Sequence, residues 1–132
     1  ENARLFYQVA VENPANEDRR VNDTLRYAQV LAHLGEVELA LKAARSVFDT
    51  QPKDRAPLIP SLIFELAPAA RGKGFDKDLA QLISDALPLY DATVVDPKSE
   101  SGEAFLIAKP HLMREALKLI QALRGSANPP PG

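Results

Sequence analysis

The sequence predicts an all-α fold: a helical-hairpin repeat, an α-solenoid, closed by a C-terminal capping helix. Three observations predict it. First, two segments share one spacing: Gly35, Ala40, Ala44, Val47 and Pro52 lie five, four, three and five residues apart, and Gly74, Leu79, Ile83, Ala86 and Asp91 repeat those steps. The agreement extends upstream, where Thr24, Tyr27, Ala28 and Leu31 match Ile63, Leu66, Ala67 and Ala70. Second, the apolar residues between the breaks recur at helical spacing. Third, glycine and proline fall where such helices must stop. A fixed period of this kind marks a helical repeat array.

Residues 3–12 read as a helix with Phe6, Val9 and Ala10 on one face, closed at Asn13-Pro14. The chain starts at Glu1, inside this helix, and is read as a piece of a longer protein or a processed chain. Residues 14–20 are polar and charged, a solvated connection. Residues 22–34 form the next helix, with Asn22 or Asp23 as N-cap, Leu25, Ala28, Leu31 and Ala32 at helical spacing, and Gly35 as breaker. Residues 37–50 follow, with Leu39, Ala40, Ala43, Ala44, Val47 and Phe48 on the buried side and Gln51-Pro52 as stop. Pro57 and Pro60 keep residues 52–60 from being helical throughout, and Pro60 suits a first helical position.

Residues 60–72 form the next helix, with Pro68 expected to kink or shorten it, and Gly72-Lys73-Gly74 makes the turn. Residues 76–90 carry Leu79, Leu82, Ile83, Ala86, Leu87 and Tyr90 inward, with Pro88 weakening the last turn. Residues 91–101 read as a long loop. Residues 102–108 read as a short helix, and residues 110–124, opened by Pro110, as the capping helix with Leu112, Met113, Ala116, Leu117, Ile120 and Leu123 as its stripe. The organisation is thus one domain over 1–124: a partial repeat at 1–14, repeats at 21–54 and 60–91, and the cap at 110–124. Residues 125–132, ending Pro-Pro-Pro-Gly, are expected to be disordered.

Composition fits this reading. A chain of 132 residues with 45% hydrophobic residues is one globular domain with a real core. Sixteen basic against eighteen acidic residues give a formal net charge of -2, which does not point to nucleic acid. No apolar run approaches the ~18–20 residues of a membrane span, so no membrane insertion is expected. With no cysteine, disulfides and thiolate metal sites are excluded.

The unit Tyr27-Ala28-Gln29-Val30-Leu31, Leu34-Gly35-Glu36-Val37, Ala40-Leu41, Val47-Phe48 and Pro52 resembles a tetratricopeptide repeat, and residues 21–54 have its length of 34. Residues 60–91 match at Leu66, Ala67, Gly74, Phe75, Ala86 and Leu87, and residues 1–14 resemble the second helix of a preceding unit. There are departures. The period is 38 from Pro14 to Pro52 and 39 from Pro52 to Asp91, the aromatic opening the first helix is replaced by Thr24 and Ile63, and Asp91 replaces a closing proline. Sel1-like repeats, with longer periods, are a close alternative. The resemblance implies a concave groove lined by the first helix of each unit: Asn22, Leu25, Arg26, Gln29 and His33, then Ser61, Phe64, Glu65 and Pro68. The lysine–asparagine carboxylate clamp of some members falls on Leu25 and Gln29, so chaperone-tail binding is not expected.

No constellation for catalysis stands out, and no metal or cofactor is expected. His33 and His111 are far apart and lack a carboxylate or histidine at i+3 or i+4. Asp76, Asp78 and Asp85 read as a solvated helix face, with the first two favouring the helix dipole. Gly72-Lys73-Gly74 lacks the spacing of a phosphate loop, and Ser99 and Ser101 have no histidine partner nearby. Asn22-Asp23-Thr24 matches a glycosylation pattern but reads better as a helix start. The functional expectation is a protein–protein interaction module that takes a protein or peptide partner. Leu25, Arg26, Gln29, His33, Phe64 and Glu65 are its contacts, with Phe64 and Leu25 the anchors; the alternative for these two, usual for an aromatic at helical spacing, is a place in the core. The alternative is an oligomerisation or spacer region of a larger enzyme or sensor, self-associating through Phe6 and Val9.

Overall fold

The computed structural model describes residues 17–49 and 55–127. Every element among them is helical. Helix α1 spans Glu17–His33, and α2 spans Val37–Arg45 and tightens into a 3-10 turn, Ser46–Asp49. Helix α3 covers 58–70 in three joined pieces, Leu58–Ser61, a π-helical Leu62–Leu66 and Ala67–Ala70. Helices α4, Asp76–Asp91, and α5, Glu100–Ala127, complete the set. Packing is chiefly α1 on α2 and α4 on α5, with α3 lying against α1, α4 and α5. The expected helix 3–12, with Phe6, Val9 and Ala10, and the Gln51-Pro52 stop lie outside the described residues, as does the tail from residue 128.

The shared spacing marks the core. Ala40, Ala44 and Val47 are buried, and so are Leu79, Ile83 and Ala86 at the matching places. Thr24, Ala28 and Leu31 are buried, as are Ile63, Ala67 and Ala70. The two hairpin turns also agree: Gly35 and Gly74 take positive φ of 86° and 91°, and a helix starts two residues after each. At the first turn the Glu36 N–H donates to the Leu31 oxygen (2.9 Å) and the Gly35 N–H to the Ala32 oxygen (3.0 Å). This pair of bonds is the Schellman closure that a C′ glycine permits.

Several boundaries differ from the sequence reading. Helix α1 starts at Glu17, so the stretch 17–20 is helical, and Asn22 and Asp23 sit inside the helix and cap nothing. Thr24 is 1% exposed within that helix and faces the core, while Asn22 is exposed. On α2 the buried stripe is Val37, Ala40, Leu41 and Ala44; Leu39 is 45% exposed. Pro60 occupies the third position of α3, where a missing N–H still costs nothing. Pro68 leaves α3 continuous. The Ala67 N–H instead donates five residues back to Leu62, a π turn that makes room for a ring with no N–H to give.

The largest correction is at the C-terminal end. The segments 102–108 and 110–124 are one helix, α5, with Pro110 inside it, and residues 125–127 extend it. Leu117 of the expected stripe is 52% exposed, while Phe105, Ala116, Ile120 and Leu123 are buried. Its start is fixed by Ser99, whose Oγ accepts from the Gly102 N–H (2.9 Å) and donates to the Asp96 oxygen (2.8 Å). Gly102 is required there, because a Cβ would collide with the Asp96 carbonyl. Tyr90 and Phe105 meet edge to face, centroids 5.0 Å apart, and join α4 to α5. Lys109 Nζ closes the end of α4, 2.8 Å from the Asp91 backbone oxygen and 2.7 Å from its carboxylate.

Candidate functional site

The expected contact residues form two exposed stripes on helices that pack together. On α1 the buried positions Val21, Thr24, Leu25, Ala28, Leu31 and Ala32 turn one face inward. The opposite face carries Asn22, Arg26 and His33 exposed and Gln29 half-buried. On α3, Phe64, Glu65 and Pro68 are exposed and Ser61 is half-buried, between buried Leu62, Ile63, Leu66 and Ala67. Leu25 does not belong with them. It is 3% exposed, a core residue, so its expected role as a groove anchor does not hold. Its helical position lies at the edge of the polar stripe, and spacing alone could not assign it.

Phe64 differs from every other ring among the described residues. It is 58% exposed, whereas Tyr90 and Phe105 are buried and Tyr27, Phe48 and Phe75 half-buried. The π turn holds it out while Ile63 and Leu66 fix the backbone beneath. Among the described residues, no side-chain hydrogen bond or ion pair engages Arg26, Gln29, His33 or Glu65. The stripe therefore combines one apolar ring with charged and polar groups that show no side-chain partner among the described residues.

A second feature escaped the sequence reading. Helices α2 and α4 enclose an open cleft of about 410 Å³, lined by Leu41, Leu82 and Phe75 below and by charged residues including Glu38, Lys42 and Asp78 at the rim. Most of its charges are already engaged. Arg45 Nη1 meets Asp85 Oδ2 at 2.9 Å, and Gln81 donates to the other carboxylate oxygen at 2.8 Å. The Arg45 hydrogen bond, then that of Gln81, holds the Asp85 carboxyl below its ordinary pKa. Lys42 pairs with Glu38 at 3.6 Å, and Arg45 also lies 5.4 Å over the Phe48 ring. The repeat spacing was the signal that could have found this cleft, since it makes α2 and α4 equivalent elements.

Three acidic residues of α4 serve structure: besides Asp85 and Asp91, Asp76 Oδ1 accepts from the Gly72 N–H at 2.7 Å, closing the turn. Among the described residues no group of three or more His, Asp or Glu side chains is placed to hold a metal ion. No described helix is long and apolar enough to cross a membrane. Comparison with protein-family models, with curated proteins and with solved structures finds no match to this chain.

Proposed function

We propose that this chain is a protein-interaction module of tetratricopeptide-like hairpins, binding a peptide or protein segment across the exposed stripes of α1 and α3. The observation that carries the reading is Phe64, a phenyl ring held in water by a helix whose neighbouring residues are core. A rigid aromatic surrounded by polar groups is the usual composition of a binding hot spot. Arg26 and Glu65, opposite in charge and without a side-chain partner among the described residues, suit a segment of mixed charge. The common burial pattern of the two hairpins, and a positive-φ glycine two residues ahead of the second helix in each, support the repeat architecture. The α2–α4 cleft is the weaker site, because most of its rim charges are engaged with one another.

The test is selection of peptides from a random display library on the 132-residue chain, followed by calorimetric titration of the enriched sequences. Binding to Phe64→Ala should weaken by about tenfold or more, the scale of a lost anchor. Lys42→Ala, in the cleft, should bind as the natural chain does. Equal binding by Phe64→Ala, or no enriched sequence, would overturn the reading.

A further inference from the structure

Helix α5 buries one face and presents another that nothing in the described chain covers. Inward go Phe105, Ala116, Ile120 and Leu123. Outward go Glu103, Ile107, Pro110, Arg114, Leu117 and Gln121, every one exposed, at steps of four, three, four, three and four residues. That alternation is the seam spacing of a two-helix coiled coil. Ile107 and Leu117, 71% and 52% exposed, are the apolar members of the seam, and Leu106 flanks it at 44%. At 28 residues, α5 is about 42 Å long, so the seam runs along a rod rather than a small patch.

The charges on this helix are polarised. Glu100 and Glu103 occupy its first turn, and beyond its midpoint lie Arg114 and Arg124, with Lys118 engaged by Glu115 at 3.6 Å. Lys109 is engaged with Asp91, which leaves the first half acidic. We propose that α5 pairs antiparallel with α5 of a second copy of this chain, about a two-fold axis near residue 112. The register is the one that matches both properties at once. It sets Ile107 against Leu117 of the second copy and Glu103 against its Gln121, and it brings Glu100 to its Arg124. A parallel pair would stack Glu100 and Glu103 beside their own duplicates, which like-charge repulsion opposes. The antiparallel contact uses the same patch on both copies, so it closes as a dimer and does not propagate.

The chain has no cysteine, which makes the register directly readable. Ile107→Cys and Leu117→Cys, both at exposed positions, are prepared separately, mixed and oxidised mildly. The expected product is the 107–117 mixed disulfide, in clear excess over either symmetric one, since only facing pairs come within bonding distance. Sedimentation of the natural chain over a concentration series should show a monomer–dimer equilibrium. Ile107→Glu should weaken it by at least about tenfold with helical content unchanged, because the carboxylate would be buried without a partner. A monomer at all concentrations would overturn the proposal. So would predominant 107–107 and 117–117 disulfides, which mark a parallel pair, or a dimer indifferent to Ile107→Glu, which places the contact elsewhere.

Discussion

The two hairpins place their buried residues in the same register and fill that register with side chains of different size. In α1–α2 the first helix brings Leu31 and the second brings Ala40 and Ala44. In α3–α4 the matching positions hold Ala70 on the first helix and Leu79 and Ile83 on the second. Near the turns large and small residues have changed sides, and at the open ends the exchange runs the other way, from Thr24 to Ile63 on the first helix and from Val47 to Ala86 on the second, while the pattern of burial stayed the same. Cores tolerate such exchange when total volume and patterning are kept. The backbone plan is therefore set by which positions are buried, and the side-chain sizes need only be complementary across each pair of helices.

Crossing the two patterns breaks the complementarity. Ile83→Ala should cost about 2–5 kcal/mol in denaturant unfolding, the range for large-to-small core changes. Ala44→Ile imports the second hairpin's residue into the first and should cost about 1–3 kcal/mol by overpacking. Combining it with Leu31→Ala should cost less than the two single changes added together, as neighbours that share one space couple. Strict additivity would mean that the two sites do not share that space.

A milder contrast lies at Thr24 and Ile63. Thr24 is 1% exposed and its Oγ1 makes no hydrogen bond, whereas the second hairpin has an apolar residue at the matching place. Thr24→Val keeps the shape and removes the unsatisfied hydroxyl. It should stabilise by up to about 1 kcal/mol, read from the same unfolding curves. A loss of stability would show that the hydroxyl is satisfied.

The smallest effect is expected where the two hairpins meet at the surface. The Arg45 and Asp85 side chains are 46% and 39% exposed, so Arg45→Ala should change stability by less than about 0.5 kcal/mol. The titration is the more sensitive readout. Asp85 has a lowered pKa in the folded protein, so its contribution is present above the unfolded carboxyl value and is lost as pH falls through the folded one. In Arg45→Ala the Asp85 carboxyl resonance should titrate at higher pH than in the natural chain. An unchanged midpoint would show that Gln81 alone sets it.

These contrasts also explain what was legible in the sequence. The hairpins were legible because Gly35 follows α1 and Gly74 lies just ahead of α4, and because buried residues recur at fixed steps. Pro110 misled because proline normally marks a boundary. Here it sits on the side of α5 turned away from the core, so its ring displaces no core residue and the helix runs on through it. Leu25 and Leu39 were misassigned for another reason. An apolar stripe on a helix is broad, and residues at its margin turn inward or outward according to which neighbour packs there. Only the tertiary arrangement fixes that. The polar stripe of α1 was legible, since Asn22, Arg26, Gln29 and His33 recur at one face, but the cleft between α2 and α4 arises from docking of distant segments.

One bond described by neither hairpin alone joins them. Lys73, in the turn between Gly72 and Gly74, extends its ammonium group to the Ala32 carbonyl at the end of α1, 2.9 Å away. The turn of the second hairpin thus holds the helix end at the turn of the first. In a linear array, the coupling between neighbours decides whether segments melt one by one or together. Together with Arg45 on Asp85, this link couples the two hairpins, and each such coupling favours melting together over melting one by one.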